Sequence, residues 1–293
     1  MTERMALDAK AFTLMLGLTA LWGFQQVAIK LTAPDVSLVM QAALRSVIAT
    51  ALLFAWAQWR GTPLFRRDGT LGAGIAAGLL FGAEFVFIYG GLEHTAASRM
   101  VVFIYLAPVL TALGLHWLVP GEKLVRAQWI GVAVAFAGIA LAFGEAFGAA
   151  RSSLLGDFFG VVAAVLWAAT TVLIRATSLS RATAAKTLFY QLAVSAPLLL
   201  AASFAMGEKG VVALSPLALA SLAYQGVVVA FASYLVWFWL LTRYLAARLS
   251  VFSFLTPLFG VLFGVLILSE PLTPPFVGAA LLVGAGIVLV NRR

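Results

Sequence analysis

Residues 106–138 read LAPVLTALGLHWLVPGEKLVRAQWIGVAVAFAG, and residues 255–286 read LTPLFGVLFGVLILSEPLTPPFVGAALLVGAG. Each stretch opens with Leu, a small residue and Pro, continues through an apolar run to a single Glu, and ends in a second apolar run containing Gly. The Glu follows the Pro by fourteen residues in the first stretch and by thirteen in the second. Internal repeats decide the fold when they are present, so we interpret the two stretches as copies of one unit. The alternative is chance similarity between two membrane segments rich in Leu, Ala and Gly.

A second pair of matching motifs favours the duplication. Leu21-Trp22-Gly23 has Lys30 eight residues after its Trp, and Leu166-Trp167-Ala168 has Arg175 at the same spacing. The copies are 145 residues apart at the Trp and 149 apart at the Pro of the longer motif. Two separated matches at nearly one offset predict that the whole chain is a duplication of about half its length.

The composition places the chain in a membrane. Of its 293 residues 63% are hydrophobic and only 10% are charged, with a mean hydropathy of +1.05. Soluble domains contain about 25% charged residues. The apolar runs have the length of about 20 residues that a helix needs to cross a bilayer, and barrel strands would be shorter and alternating. With no cysteine, disulfides and thiol chemistry are excluded. Lipid is therefore the expected surrounding.

The net charge of +8 has a topological explanation, and we expect no nucleic-acid partner. We predict ten spans at about residues 11–31, 36–57, 71–91, 97–118, 127–145, 157–175, 184–205, 216–241, 249–268 and 274–291. The first lacks a small-residue cleavage site, so we interpret it as a retained span. With the N-terminus inside, fourteen Lys and Arg fall in cytoplasmic segments and four in outer segments, which predicts that both termini are cytoplasmic.

The duplication fixes the relation between the two halves. Each repeat, 1–148 and 149–293, holds five spans, so the second must enter the membrane in the opposite sense to the first. The predicted fold is therefore an all-α integral membrane protein of ten transmembrane helices in two inverted five-helix repeats. Many secondary transporters follow this plan and bind substrate near the bilayer midplane between the repeats. Channels also use it, so a channel stays as an alternative.

The pattern resembles the drug/metabolite transporter superfamily, in its ten-span EamA-type branch. The motifs that carry the resemblance are Leu21-Trp22-Gly23 and the twin stretches 106–138 and 255–286, and the resemblance covers essentially the whole chain. Within the branch, the chain looks most like the bacterial exporters of aromatic and other amino acids. The resemblance implies an exporter of the bacterial inner membrane with a central cavity lined by spans 1, 3, 4, 6, 8 and 9. The second copy departs from the usual pattern in its Pro274-Pro275, where the tenth span begins.

Two prolines recur at matching places in the repeats. Pro108 and Pro257 fall near the middle of spans 4 and 9. A proline within a helix removes one backbone hydrogen bond and bends the helix. The pair is predicted to form two hinges for alternating access, one in each half, and the alternative is a static kink.

Arg45 and Glu84 are the ionisable residues deepest in the apolar spans. They lie in spans 2 and 3 at similar depth. A charge within a membrane is costly unless it faces a partner or water, so such residues are functional candidates. One interpretation is a structural ion pair between them. The other places Glu84 at the ammonium group of a substrate or on a proton path.

Aromatic residues inside the spans suggest the kind of cargo. Trp and Tyr usually lie at membrane interfaces, but Trp22 and Trp167 fall near the centres of spans 1 and 6. A cavity with aromatic walls and a few amides and hydroxyls suits a small amphipathic molecule. The alternative is ordinary helix-packing or lipid-facing aromatics. The predicted cavity residues are Trp22, Gln25, Gln26, Glu84, Tyr89, Ser98, Tyr105, Trp167, Thr171, Tyr234 and Trp237.

These features favour a secondary transporter that exports small metabolites, with amino acids as the expected substrate and membrane lipid as the other partner. Multidrug, nucleoside or sugar-derivative export by the same fold is the alternative cargo. An enzyme is not expected, because no cluster of a nucleophile with a base lies within the spans. His94 and His116 lack the spacing of a metal site, so neither metal nor cofactor is predicted. The sequence is compatible with a monomer.

Overall fold

The computed structural model describes residues 7–92, 94, 97–143, 154–268 and 274–291. In these residues the regular structure is helical, with no β-strand beyond one isolated bridge between Val36 and Val211. The α-helices are α1 (Ala9–Thr32), α2 (Leu38–Trp59), α3 (Leu71–Leu92), α4 (Ala97–Ile104), α5 (Ala107–Leu118), α6 (Arg126–Phe143), α7 (Leu154–Ala176), α8 (Ala184–Ala205), α9 (Pro216–Ala223), α10 (Tyr234–Arg243), α11 (Ala246–Ser250), α12 (Leu255–Leu268) and α13 (Pro274–Asn291). The motif residue Glu270 lies outside the described residues.

Eight helical segments in the described part of the chain are long and apolar enough to cross a membrane. They are Ala9–Thr32, Leu38–Trp59, Leu71–Leu92, Met100–Leu118, Leu154–Ala176, Ala184–Ala205, Pro216–Arg243 and Ala246–Ile267. Two further apolar helices, Arg126–Leu141 and Val277–Asn291, are shorter. Each of the ten segments coincides with one apolar run of the sequence, which supports the all-helical membrane architecture.

Polar residues in the loops determine where several helices begin. Asp8 accepts a hydrogen bond from the backbone N–H of Ala11 at 2.8 Å and so caps α1. Thr183 caps α8 in the same way, and Ser215 caps α9, whose first residue is a proline. We call the end of the bundle where α1 begins the Asp8 end. The opposite end, which holds the loop between α1 and α2, is the Asp35 end.

The two motif prolines begin helices instead of bending continuous ones. The backbone turns at Tyr105 and Leu106 between α4 and α5, and Pro108 lies in the first turn of α5. Likewise, a 3₁₀ segment, Val251–Phe254, separates α11 from α12, and Pro257 is the third residue of α12. The expectation of a proline in mid-helix is therefore corrected. The first turn tolerates proline because its N–H groups have no partner within the helix.

The chain between α9 and α10 adopts a π-helix over Tyr224–Ser233. Nothing in the sequence pattern predicts it. In a π-helix the hydrogen bonds run from residue i to i+5, and such segments occur frequently at functional sites. The π-helix ends at Ser233, directly before Tyr234, and both residues contact Trp22 of α1.

The packing of α6 on α13 repeats itself when the two halves are exchanged. Gly131 lies against Gly286, and Gly138 lies against Ala279. An offset of 148 residues converts Gly131 to Ala279 and Gly138 to Gly286, so one contact becomes the other. The order of the contacts also shows that α6 and α13 run antiparallel. Equivalent helices of opposite direction are what two inverted copies require.

A second pair of contacts obeys the same exchange. A β-carbon on Gly78 of α3 would lie 2.5 Å from the β-carbon of Val194 in α8. A β-carbon on Gly226, in the π-helix, would lie 2.7 Å from a methyl carbon of Ile48 in α2. Gly226 follows Gly78 by 148 residues, and Val194 follows Ile48 by 146. The halves therefore pack on each other through equivalent glycine faces, which allow close approach of helices.

The α6–α13 crossing gives a matched test. A β-carbon on Gly286 would lie 2.5 Å from the carbonyl oxygen of Gly131, whereas one on Gly284 would meet nothing within 4 Å. Both Gly-to-Ala changes alter helix propensity equally, so their difference isolates the clash. We expect Gly286→Ala to destabilise the protein by about 1–3 kcal/mol and Gly284→Ala to be neutral or slightly stabilising. Thermal unfolding in detergent measures both, and equal behaviour of the two variants would contradict the packing.

Candidate functional site

An aromatic cluster joins the two halves in the middle of the bundle. The indole N–H of Trp22 in α1 donates to the hydroxyl oxygen of Ser233 at 2.9 Å. The same indole makes edge-to-face contacts with Tyr234 at 6.2 Å and with Trp237 at 5.8 Å between ring centroids. Phe81 of α3 completes this group against Tyr234 at 6.1 Å. The structure thus brings together three of the predicted cavity residues, and each of the three is half-buried.

Arg45 and Glu84 lie buried beside this cluster. Arg45 is 2% exposed and Glu84 is 7% exposed. The Arg45 guanidinium lies over the ring of Phe85, 4.5 Å from the centroid. Its charge is the one that acts on the Glu84 carboxyl, but among the described residues no oxygen of Glu84 comes within 4.0 Å of its nitrogens. The two groups therefore interact at a distance without forming a contact ion pair.

A second aromatic group lies where the broken helices meet. Tyr105, at the turn between α4 and α5, packs edge-to-face on Trp167 of α7 at 5.7 Å. Its ring also lies 6.3 Å from that of Phe254, just before α12. Tyr105 and Phe254 thus bring the turns that precede the two motif prolines next to each other. Trp167, which packs on Tyr105, is the counterpart of Trp22 in the second repeat.

The remaining predicted cavity residues are distributed over several faces. Gln25 is buried in α1, whereas Gln26 is exposed beside Gly260 of α12. Tyr89 stacks on Phe85 at 6.2 Å between centroids. The Thr171 hydroxyl donates to the backbone oxygen of Trp167 at 3.4 Å, within its own helix. The side chain of Ser98 lies outside the described residues.

A buried ion pair closes the Asp8 end across the two halves. Glu122, in the loop after α5, pairs with Arg175 at the end of α7, and both side chains are at most 2% exposed. Glu122 also accepts hydrogen bonds from the backbone N–H groups of Ala246 at 3.2 Å and Ala247 at 3.3 Å. Arg175 donates a further bond to the carbonyl oxygen of Leu241 at 3.1 Å. One acidic residue of the first half thus holds two separate helices of the second.

A second tie at the Asp8 end is more exposed. Lys186 of α8 donates to the Asp68 carboxylate at 2.8 Å and to the carbonyl oxygen of Arg66 at 2.6 Å. The hydroxyl of Thr70 donates to the other carboxylate oxygen of Asp68 at 2.6 Å. The Lys186 ammonium, followed by Thr70, lowers the pKa of Asp68 from 3.8 to about 2. The folded state therefore favours the ionised carboxylate.

The lowered pKa predicts an acid-dependent contribution to stability. Asp68 stabilises the fold fully above its unfolded pKa, and the contribution is lost as the pH falls from about 4 towards 2. Asp68→Asn cannot titrate. We expect the difference in Tm between wild type and Asp68→Asn to be largest at neutral pH and to shrink over that interval. Thermal unfolding at several pH values measures it, and a difference that is independent of pH would contradict the assignment.

The Asp35 end carries the corresponding ties from the second half to the first. Glu208, in the loop before α9, accepts from the N–H groups of Val39 at 2.9 Å and Met40 at 3.0 Å, and so caps α2. Asp35 accepts a hydrogen bond from the hydroxyl of Ser215. Each end of the bundle is thus held by an acidic loop residue of one half acting on the start of a helix in the other.

Sequence reasoning did not find Phe81, Phe85, Ser233, Phe254 or the Glu122–Arg175 pair. The phenylalanines carry no distinguishing pattern among the 22 in the chain. The ion pair did have a signal, because Glu122 and Arg175 are both members of the repeated motifs. The motifs alone do not indicate that these two residues pair.

The bundle, its duplication and its buried centre define a helical membrane protein of the transporter class. The EamA-like transporter family matches the chain twice, over residues 9–144 and 154–292. The chain therefore belongs to the EamA-like transporter family, within the drug/metabolite transporter superfamily, and the resemblance noted in the sequence is confirmed. It is a multi-pass protein of the bacterial inner membrane.

Relatives extend over nearly the whole chain. An uncharacterized transporter of Archaeoglobus fulgidus is 28% identical over 288 residues, covering 96% of this chain and 97% of its own. A probable amino-acid metabolite efflux pump of Escherichia coli is 25% identical, covering 94% and 93%. One crystal structure superposes with a TM-score of 0.81 at 20% identity, over 97% of this chain and 96% of that one, which supports the fold.

Proposed function

We propose that the protein exports amino acids, including aromatic ones, by alternating access through a central site between its two halves. The observation that carries the proposal is the cluster of Trp22, Tyr234 and Trp237, which draws aromatic walls from both halves. Glu84 lies beside it as a buried carboxylate that can bind an ammonium group. The efflux pump of Escherichia coli named above agrees with this cargo.

Alternating access requires that contacts between the halves break at one end of the bundle while equivalent contacts form at the other end. Asp68 bonds Lys186 at the start of α8, and Glu208 bonds the start of α2, so these two acidic ties at opposite ends join the halves through equivalent elements. The turns before Pro108 and Pro257 interrupt the helices that would move. We place the hinges at these turns, with the repeats divided near residue 148.

The proposed topology has ten crossings, with the Asp8 end and both termini in the cytoplasm. The chain has no cysteine, so single-cysteine variants give a clean measurement. We expect a membrane-impermeant maleimide to label Lys209→Cys in intact cells and Arg66→Cys only after permeabilisation. Wild type supplies the background. Labelling of Arg66→Cys in intact cells, with Lys209→Cys protected, would reverse the orientation.

The direct test of function is uptake of labelled phenylalanine, tryptophan and threonine into liposomes that contain only this protein. Each is measured with and without an imposed pH gradient and with excess unlabelled competitors. Saturable uptake with cross-competition is expected for an amino-acid carrier. Uptake equal to that of protein-free liposomes would reject amino acids and turn the search to drugs, nucleosides or sugar derivatives. Flux that does not saturate would indicate a channel.

The pH gradient also tests proton coupling. Glu84→Gln removes the carboxylate and leaves the size of the side chain unchanged. If the pH dependence of uptake disappears in this variant, Glu84 carries the proton. If uptake and its pH dependence stay unchanged, Glu84 has no part in coupling or in ammonium binding.

A further inference from the structure

Arg45 has hydrogen-bonding capacity that the protein leaves unused. Its side chain is 98% buried, and its Nη2 atom is buried without a hydrogen-bond partner in the described part of the chain. A guanidinium carries five N–H donors, and leaving a buried donor of a charged group unsatisfied is costly. The face of Phe85 offers attraction to the charge but no oxygen to accept these donors. The Tyr234 hydroxyl lies close enough to the guanidinium to share a hydrogen bond with it, so the acceptor that Arg45 still lacks is one for Nη2.

Glu84 is in the complementary situation. It is 93% buried, and it accepts no hydrogen bond from any residue within the described ranges. Arg45 supplies the opposing charge, but the two groups do not touch. Both residues interact electrostatically with the hydroxyl groups of Tyr89 and Tyr234, so the four side chains are neighbours within the bundle.

This region continues directly into the aromatic cluster. Tyr234 touches both Trp22 and Phe81, and Phe81 packs on Phe85, whose ring lies beneath Arg45. A positive group, a negative group and an apolar wall thus lie side by side. A simple cation would use only Glu84, and a simple anion would use only Arg45. A zwitterion uses both and leaves the buried site neutral.

We propose that Arg45 binds the carboxylate of a zwitterionic α-amino acid while Glu84 binds its ammonium group, with the side chain against Trp22, Tyr234 and Trp237. This inference rests on the proposed function and adds to it the residue that makes a free carboxylate obligatory. It assigns Arg45 as a specificity-determining residue. Amines of the same shape without a carboxylate leave Nη2 of Arg45 buried without an acceptor, so they bind poorly.

The test is competition against labelled phenylalanine in proteoliposomes. Phenethylamine lacks the carboxylate, and 3-phenylpropionate lacks the ammonium group. We expect each to compete on the order of 10- to 100-fold more weakly than phenylalanine, which is the usual loss when a charged hydrogen-bonding group goes unpaired. Equal competition by phenethylamine and phenylalanine would overturn the inference and leave amino-acid transport standing. This arm needs no variant.

Arg45→Gln and Arg45→Lys separate carboxylate binding from a positioning role. We expect Arg45→Gln to weaken the binding of phenylalanine by a similar factor, while phenethylamine binds with its wild-type affinity. Arg45→Lys should restore part of the preference for phenylalanine over phenethylamine. An equal loss for all three compounds would mean that Arg45 only positions its neighbours, and the inference would fail. Thermal stabilisation by each compound in detergent measures binding apart from transport. If phenylalanine neither enters liposomes nor stabilises the protein, the proposed function fails first and the inference with it.

Discussion

Glu122→Gln should lower the free energy of unfolding by about 3–5 kcal/mol, because it leaves Arg175 as a buried charge without a counter-ion. The two N–H groups of Ala246 and Ala247 bond different oxygens of Glu122, and the single amide oxygen of glutamine can accept from only one of them. The loss therefore includes one hydrogen bond in addition to the missing charge. For a chain of this size, the Tm in detergent should fall by on the order of 10 °C. Arg175→Gln should have an effect of the same order, because it leaves the buried Glu122 carboxylate without its counter-ion.

The double variant decides whether the two residues act as a pair. If they do, Glu122→Gln with Arg175→Gln costs much less than the sum of the single changes. Lys123 is exposed next to Glu122, and Lys123→Gln serves as the matched control, with an expected change within about 0.5 kcal/mol. Strict additivity of the single variants would contradict a coupled pair at the Asp8 end.

Trp22→Ala should raise the KM for phenylalanine and tryptophan on the order of 30-fold, because it removes the aromatic wall that α1 contributes to the central cluster. The effect on threonine should be smaller, since threonine has no ring to pack there. Trp22→Phe keeps a ring but loses the hydrogen bond to Ser233, so we expect less than about a tenfold change. Initial rates of uptake at several substrate concentrations give the KM values.

Trp117→Ala is the matched control for this prediction. Trp117 is 72% exposed, so its loss should leave the KM values unchanged. If Trp22→Ala reduces only the amount of folded protein while the KM of that fraction stays at the wild-type value, Trp22 is a packing residue. The central cluster would then not bind substrate.

The sequence predicted the elements of the fold because each depends on local or repeated information. Apolar length determines where a helix can cross, and the recurrence of Trp22 at Trp167 revealed the duplication. The π-helix was not predictable in this way, since its wider hydrogen bonding has no side-chain periodicity of its own. The turn before Pro108 was also missed. A proline in the first turn and a proline in mid-helix give the same sequence pattern.

The candidate site was predictable only in part. Tyr234 and Trp237 were grouped with Trp22 because polar aromatics inside a span are unusual, and their rings do contact it. Their role in substrate binding stays a prediction. The hydrogen-bond partner of the Trp22 indole is Ser233, 211 residues away in the chain, and no local pattern indicates it. Arg175 is buried at the end of α7, where Glu122 from the other half pairs with it, and its position in the repeated motif does not indicate that partner. These contacts depend on how the halves meet, which one sequence does not state.

The reciprocal contacts of α6 and α13 have a consequence for how such a chain can arise. When the two halves are exchanged, the Gly131–Gly286 contact maps onto the Gly138–Ala279 contact. An interface whose contacts map onto one another in this way is isologous, like the interface of a symmetric homodimer. Each half therefore carries a complete complementary surface for the other. A five-helix ancestor inserted in both orientations could assemble through this same surface before any gene fusion. Fusion then allows the halves to diverge, so that Arg45 and Glu84 can exist in one half alone.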